Sequence, residues 1–282
     1  MKLVVMGDLH YHEADAAIPE WVAARDDFYR TMLERFLELE ADVHISLGDL
    51  TNYGHPSELQ EVYGIIRQHD RTFYHALGNH DLYAQTRKDV LNITGQARYH
   101  VIRTEKADLA FIDTAKEMDF EDWGGWVDEE QLRWLEGVVK ASGTKPLLVF
   151  AHHPVYNTTT RSDKEKGSIH PDIDMWKVLG QKEGTGIYFN GHTHVDSIVA
   201  QKNWTFVQLP ACLDQPGVRI VEIDAEEIRI SPLDIANDAL EKNAEIMYSN
   251  MKHFRPNPEA RGAESDRGCV VSLLQAAEPG QA

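Results

Sequence analysis

Five short segments of the chain end in metal-seeking side chains, and each directly follows an apolar run of strand length. Asp8-Leu9-His10 follows Leu3-Val4-Val5-Met6, and Gly48-Asp49 follows Val43-His44-Ile45-Ser46-Leu47. Gly78-Asn79-His80-Asp81 follows Phe73-Tyr74-His75-Ala76-Leu77, and Ala151-His152-His153-Pro154 follows Leu147-Leu148-Val149-Phe150. Gly191-His192-Thr193-His194 follows Ile187-Tyr188-Phe189. The donors are oxygen and imidazole nitrogen with no thiolate, a set that suits a pair of hard-to-borderline divalent or trivalent cations. Two such cations in one crevice point to hydrolytic phosphoryl chemistry.

Groups so far apart in sequence need a scaffold that gathers them, and an open α/β sheet does so because the carboxyl ends of its strands face one crevice. The first two-thirds of the chain alternate strand and helix patterns, the mark of βαβ units. Helices are expected over Trp21–Glu40, from Pro56-Ser57 onward, and after Asp128 as N-cap, where Leu132, Leu135, Val138 and Val139 form an apolar face. Tyr99–Arg103 and Leu109–Asp113 read as a hairpin. After His194, short runs at Ser197–Ala200, Thr205–Leu209, Arg219–Ile223 and Ile228–Ile230 predict an antiparallel second sheet. The pattern as a whole predicts an α/β fold, a four-layer α/β/β/α sandwich of two face-to-face sheets with helices outside. An amphipathic helix is expected from Asp234 to about Phe254, and beyond Arg255 a mobile tail rich in Pro, Gly, Glu and Ala, in which Val270–Leu274 is the one stretch able to dock.

At 282 residues the chain fits one large domain or a domain with an appendage, and 42% apolar content supplies a substantial core. No apolar stretch reaches membrane-span length. The start, one Lys and then a strand-like run, predicts a cytoplasmic protein without a secretory signal. Two cysteines, Cys212 and Cys269, offer neither a disulfide framework nor a zinc knuckle. A formal charge of −18 repels nucleic-acid backbone, so no nucleic-acid polymer and no membrane are expected as partners. It leaves room for a small phosphate ester, because bound cations reverse the local field.

In this order, the segments resemble the calcineurin-like metallophosphoesterase superfamily, whose pattern is D-x-H, G-D, G-N-H-D/E, a lone His, and G-H-x-H. The resemblance covers roughly residues 1–235, leaving 236–282 as a C-terminal helix and tail. It implies the metallo-dependent phosphatase fold, with two mixed sheets. It further implies that Asp8, His10 and His194 hold one metal, that Asn79, His152 and His192 hold the other, and that Asp49 bridges them. Manganese or iron is expected, with zinc as an alternative. His80 is implied beside the metals, assisting the leaving oxygen after attack by a metal-activated hydroxide. Asp81 is expected to fix the turn by hydrogen bonds, and His153 to shape the pocket rim or touch substrate. Gly48, Gly78 and Gly191 are expected to permit sharp exits from their strands. The other histidines, His12, His44, His55, His69, His75, His100, His170 and His253, are read as ordinary surface or core polar groups.

Gly48-Asp49-Leu50-Thr51 lacks the D-R-G continuation of protein Ser/Thr phosphatases, and Tyr53 falls one place late for the purple acid phosphatase tyrosine. The stretch through Gly54-His55-Pro56-Ser57-Glu58-Leu59, with His152-His153-Pro154, is similar to class III cyclic-nucleotide phosphodiesterases. A small phosphodiester such as a 3',5'-cyclic nucleotide is therefore the expected substrate, with a phosphomonoesterase or broad phosphatase as the alternative and a metal-free scaffold as the remaining one. The polar segment Val155–Met175 is the expected specificity element. Its Arg161, Lys164 and Lys166 are read as solvated charges first and phosphate contacts second. Trp123 and Trp126 are expected to pack against the following helix rather than stack a base. A dimer through the C-terminal helix is left open.

Overall fold

The computed structural model describes residues 1–273. The chain begins with β1 (Lys2–Met6), α1 (Pro19–Glu38), β2 (Val43–Ser46), α2 (Pro56–Ile66) and β3 (Phe73–His75). There follow α3 (Arg87–Thr94), β4 (His100–Arg103), β5 (Asp108–Phe111), α4 (Glu129–Ser142), β6 (Leu147–Phe150), α5 (Met175–Leu179) and β7 (Gly186–Asn190). The remainder is β8 (Ser197–Gln201), β9 (Trp204–Gln208), β10 (Gly217–Ile223), β11 (Glu227–Asp234), α6 (Asp238–Tyr248) and β12 (Cys269–Ser272).

Two six-stranded sheets form, in the orders β12-β11-β10-β1-β2-β3 and β4-β5-β6-β7-β9-β8. In the first, β1, β2 and β3 run parallel; in the second, β5, β6, β7 and β9 do. Alternation along each strand builds the layers, since successive side chains leave opposite faces. In β1, Val4 and Met6 join the core beneath α1, α2 and α6, while Leu3 and Val5 point between the sheets. Across that central layer Phe111, Phe150 and Phe189 stack from neighbouring strands at 5.0 and 5.1 Å between ring centres. On the outer face of the second sheet Ala110, Val149 and Tyr188 pack against Leu135, Val139 and Leu179 of α4 and α5. The expected sandwich is what forms, and Asp128 caps α4 by accepting the Gln131 N–H at 2.9 Å.

Two expectations are corrected. The four strands after His194 do not make a sheet of their own. β8 and β9 form a hairpin that adds to β7, whereas β10 returns antiparallel along β1 and carries β11. Periodicity tells which residues share a face, and it is silent on which open edge a hairpin joins.

The region past Arg255 is not a loose tail within the described residues. β12 pairs with β11 as the edge of the first sheet, so Val270 and Val271 dock as strand residues; Leu274 lies outside the described residues. Arg267, 3% exposed, joins Arg219, 2% exposed, around Asp196 and Asp234, which settles otherwise costly buried charges. A polar, aperiodic stretch folds here because charge pairing, not an apolar face, holds it. Similarly, the apolar side of α6 (Leu240, Ala244, Met247) is buried in the α1 core and is not free to build a dimer.

Candidate metal centre

The ends of β1, β2 and β3 lie side by side in one sheet, those of β6 and β7 in the other, and all five segments meet at one edge of the sandwich. Seven of the expected donors come together there. His194 Nε2 lies 3.0 Å from His10 Nε2 and 3.2 Å from Asp8 Oδ2. His192 Nδ1 lies 3.1 Å from Asn79 Oδ1 and 3.2 Å from His152 Nε2. Asp49 Oδ2 stands between the two groups, 3.2 Å from His152 Nε2 and 3.9 Å from His10 Nε2.

The outer nitrogens explain why the inner ones point inward. His152 Nδ1 donates to the Leu47 carbonyl at 3.0 Å, and His192 Nε2 to the Lys166 carbonyl at 2.8 Å. His194 Nδ1 faces Asp214 Oδ2 at 3.5 Å. Each ring is thereby held in the tautomer that directs a lone pair at the cluster, the usual arrangement around ligating imidazoles. Lone pairs about 3 Å apart repel one another unless something positive lies between them. Donor atoms this close, aimed at one another, suit a shared cation between them.

Charge makes the same case for cations. Asp8 and Asp49 are buried, and their ionic partners among the described residues are histidines alone, with no Lys or Arg. Without cations the imidazoles must take up protons to compensate. Burial works against that at His152, but Asp49 and Asp8 outweigh it and lift the ring to about 9. Burial likewise opposes protonation of His194, yet Asp214 and Asp8 raise it to about 10. His192, half-buried and beside the charged His152, is pushed down to about 3 by desolvation and by that charge. Burial also opposes ionisation of Asp49, and His152 and His80 overcome it to hold the carboxyl well below the usual range. Asp8 Oδ1 and His10 Nδ1 have no hydrogen-bond partner. The donor set thus fits two cations.

Backbone conformation is part of the construction. His10 (φ 52), Asp49 (φ 45), His192 (φ 73) and His194 (φ 54) all adopt the left-handed region. Each such residue costs about 1–3 kcal/mol, a strain that concentrates at functional sites. The glycines divide their work differently from expectation. Gly48 does take a positive φ of 103, but Gly78 and Gly191 do not. A Cβ on Gly78 would collide with the Asp49 carboxylate, and one on Gly191 with that of Asp8. Those two positions are kept bare so that carboxylates can approach the backbone.

His80 sits beside the cluster. Its Nδ1 donates to the Asn52 carbonyl at 2.6 Å, its backbone N–H donates to Asp49 Oδ1 at 2.8 Å, and Nε2 lies 3.9 Å from Asp49 Oδ2. The ring lines a cleft of about 850 Å³. Asp81 is fully engaged: Oδ1 accepts from the Thr51 amide and hydroxyl, Oδ2 from the Gly78 amide and His75 Nε2, all at 2.9–3.0 Å. His75 is thus a structural partner, in keeping with its reading as a core residue. His153 is buried, donates through Nε2 to the Trp123 carbonyl at 2.9 Å and meets the Thr114 hydroxyl through Nδ1 at 2.8 Å. With both nitrogens hydrogen-bonded it forms the wall behind His192, 4.2 Å away between ring centres.

Several site residues escaped sequence reasoning. Asp214 carries no motif. Phe254 stacks on His194 at 5.2 Å and meets His10 edge-on at 5.0 Å, while Asn257 donates to the His194 carbonyl at 2.7 Å. Trp123, expected to pack on the following helix, instead lines the cleft and is 44% exposed; His253 lines it too. Trp126 is also 44% exposed, beside His170. Phe254→Ala is expected to destabilise the protein by about 3 kcal/mol, the ordinary cost of truncating a buried Phe. It is also expected to weaken cation binding on the order of tenfold by loosening His194. Urea unfolding and competition against a chromophoric chelator read the two effects; unaltered cation affinity would show that the ring serves packing alone.

A two-sheet sandwich with this Asp/His cluster at its edge has the fold of the metallo-dependent phosphatases. The chain belongs to the calcineurin-like phosphoesterase family, whose model matches residues 1–196 and so spans every donor from Asp8 to His194. It is 26% identical over 154 residues to a Rhodopseudomonas palustris protein named "Probable cyclic nucleotide phosphodiesterase", covering 53% of this chain and 56% of the relative. It is 30% identical over 186 residues to a glycerophosphodiester phosphodiesterase of Enterobacter lignolyticus, covering 62% and 63%. The chain thus spans less than two-thirds of the length of these curated relatives. In fold, it superposes on a dimetal phosphatase from Danio rerio with a TM-score of 0.68 at 14% identity, covering 84% of this chain and 96% of that one. It also resembles the purple acid phosphatase PPD1 of yellow lupin, with a TM-score of 0.53 at 13% identity, over 83% and 51%. Among the described residues no helix is long and apolar enough to cross a membrane.

Proposed function

We propose that the chain is a dinuclear metal-dependent phosphoesterase that hydrolyses a small phosphodiester such as a 3',5'-cyclic nucleotide. The observation that carries this is the spacing of the donors: seven side chains from five strand ends, with inward atoms 3.0–3.2 Å apart within each group. Asp8, His10 and His194 would hold one cation and Asn79, His152 and His192 the other, with Asp49 between the two groups. When bound, such ions would supply positive charge to a phosphate and lower the pKa of water.

The chain's own residues do the rest. Asp49 keeps the two donor groups in register through its carboxylate. The Leu47 and Lys166 carbonyls and the Asp214 carboxylate prevent the imidazoles from turning. His80, anchored through Nδ1, presents Nε2 to the cleft, where a proton on it passes to the leaving oxygen. Arg161, Lys164, Lys166 and Arg255 line the same cleft. Arg161 is paired with Glu259 and Lys164 with Asp163, so Lys166 and Arg255, without a carboxylate within 4.0 Å among the described residues, give an anion the local attractive field on a chain of net charge −18. Both curated relatives are named as diesterases, which supports a diester as substrate. Lys166 and Arg255 favour a second reading, a phosphomonoesterase, because a monoester carries the greater charge. Manganese or iron is the proposed occupant, with zinc the alternative. A reducing, cytoplasmic setting agrees with Cys212 and Cys269 being free thiols.

Metal-stripped protein, reconstituted with one ion at a time, is expected to hydrolyse cyclic AMP and a bis-aryl phosphate and to lose both activities on chelation. A preference for an aryl monophosphate in that panel would overturn the diester assignment. Failure to hydrolyse any ester with two ions bound would overturn the enzyme.

A further inference from the structure

Beyond the donor cluster, the cleft ends in aromatic side chains that ester hydrolysis itself does not require. Phe120 and Trp123 are 48% and 44% exposed and belong to none of the three buried apolar clusters. Both line the cleft into which His80 and His192 open. Tyr83 stacks on Phe120 at 4.3 Å with the planes 20° apart, and its ring centre is 4.7 Å from that of His80. A tier of rings therefore runs from the reacting end of the cleft to its mouth. Trp123 is held rather than loose: its carbonyl accepts from His153, and Lys166 Nζ lies 4.3 Å from its ring centre. His253, in left-handed backbone (φ 61), stands 6.2 Å from Phe120.

We propose that Phe120 and Trp123 form a nucleobase subsite, so that the ester cleaved at this centre is a nucleoside phosphate and not a ring-free glycerol ester. The inference rests on the phosphoesterase reading and narrows it. Exposed aromatic faces bind any base, since every base has a π-face to offer. Polar donors at one end and rings at the other match a nucleotide end to end: phosphate at the donor cluster, base at the mouth. A cleft of about 850 Å³ admits such a molecule. Of the two named relatives, the cyclic-nucleotide enzyme is the one whose substrate carries a ring.

The test uses the full chain with both ions bound, as wild type, Phe120→Ala and Trp123→Ala. Values of kcat/KM for 3',5'-cyclic AMP and for glycerophosphoglycerol give a selectivity, and calorimetry gives the affinities for AMP and glycerol 3-phosphate. Each substitution is expected to lower the selectivity for cyclic AMP by about tenfold, mainly through KM, and the AMP affinity by a similar factor. Metal content and circular dichroism should match wild type. Equal losses on both esters, an unchanged ratio, or wild-type protein binding AMP no better than glycerol phosphate would each overturn the subsite. Wild-type inactivity on both esters would instead overturn the phosphoesterase reading, while the AMP measurements would still decide the subsite.

Discussion

Asp49→Ala is expected to leave the protein folded, holding at most one cation per chain, with turnover lowered on the order of a thousandfold or more. Asp49 is the donor common to both groups. Its Oδ2 lies 3.2 Å from His152 Nε2 and 3.9 Å from both His10 and His80, and its Oδ1 accepts the His80 amide. Removing it separates the two groups and also frees the turn that carries Asn79 and His80. The folding core is untouched, because the strands that deliver the loops are held by apolar layers on both faces. Elemental analysis of protein purified in manganese, together with steady-state kinetics, checks both halves. Retention of two ions would remove Asp49 from the bridging role.

His80→Ala makes the opposite pattern: two ions retained and turnover lowered by about a hundredfold or more, within the range for loss of a positioned general acid. The imidazole has one nitrogen committed to Asn52 and the other open to the cleft, 3.9 Å from Asp49 Oδ2, where it can serve the leaving oxygen of a bound ester. The loss should shrink for aryl esters, whose leaving oxygen departs without needing that proton, and should be fullest for alkyl leaving groups. A loss independent of the leaving group would turn His80 into a residue that only positions Asp49. Loss of metal in this variant together with retention in Asp49→Ala would reverse both assignments.

The site was legible in the sequence to the extent that its donors follow strands. Asp8, Asp49, Asn79, His152 and His192 each close an apolar run, and strand ends converge by geometry, so the donor residues and their meeting were open to inference together. What supports them was not. Asp214, Phe254 and Asn257 reach His194 from segments without period or motif, and only tertiary folding brings them there. The fold followed the same division. Layers were readable from alternation, as in Leu3 and Val5 against Val4 and Met6. The destination of the β8–β9 and β10–β11 hairpins was not, because either pair has an apolar face that fits either sheet edge. The final strand was hidden for a further reason: Arg267 and Cys269 sit in a stretch of Glu, Gly and Ser whose composition matches a solvated linker, and its order comes from pairing with Asp196 and Asp234.

The wall around His194 has a consequence for how the protein matures. Phe254 is synthesised 60 residues after His194 (254 − 194), a delay of about 3–12 seconds at typical ribosomal speeds of 5–20 residues per second. All five donor-bearing loops are therefore made before the ring that packs on His10 and His194, and the packing around those two imidazoles is completed only when the C-terminal segment has been added.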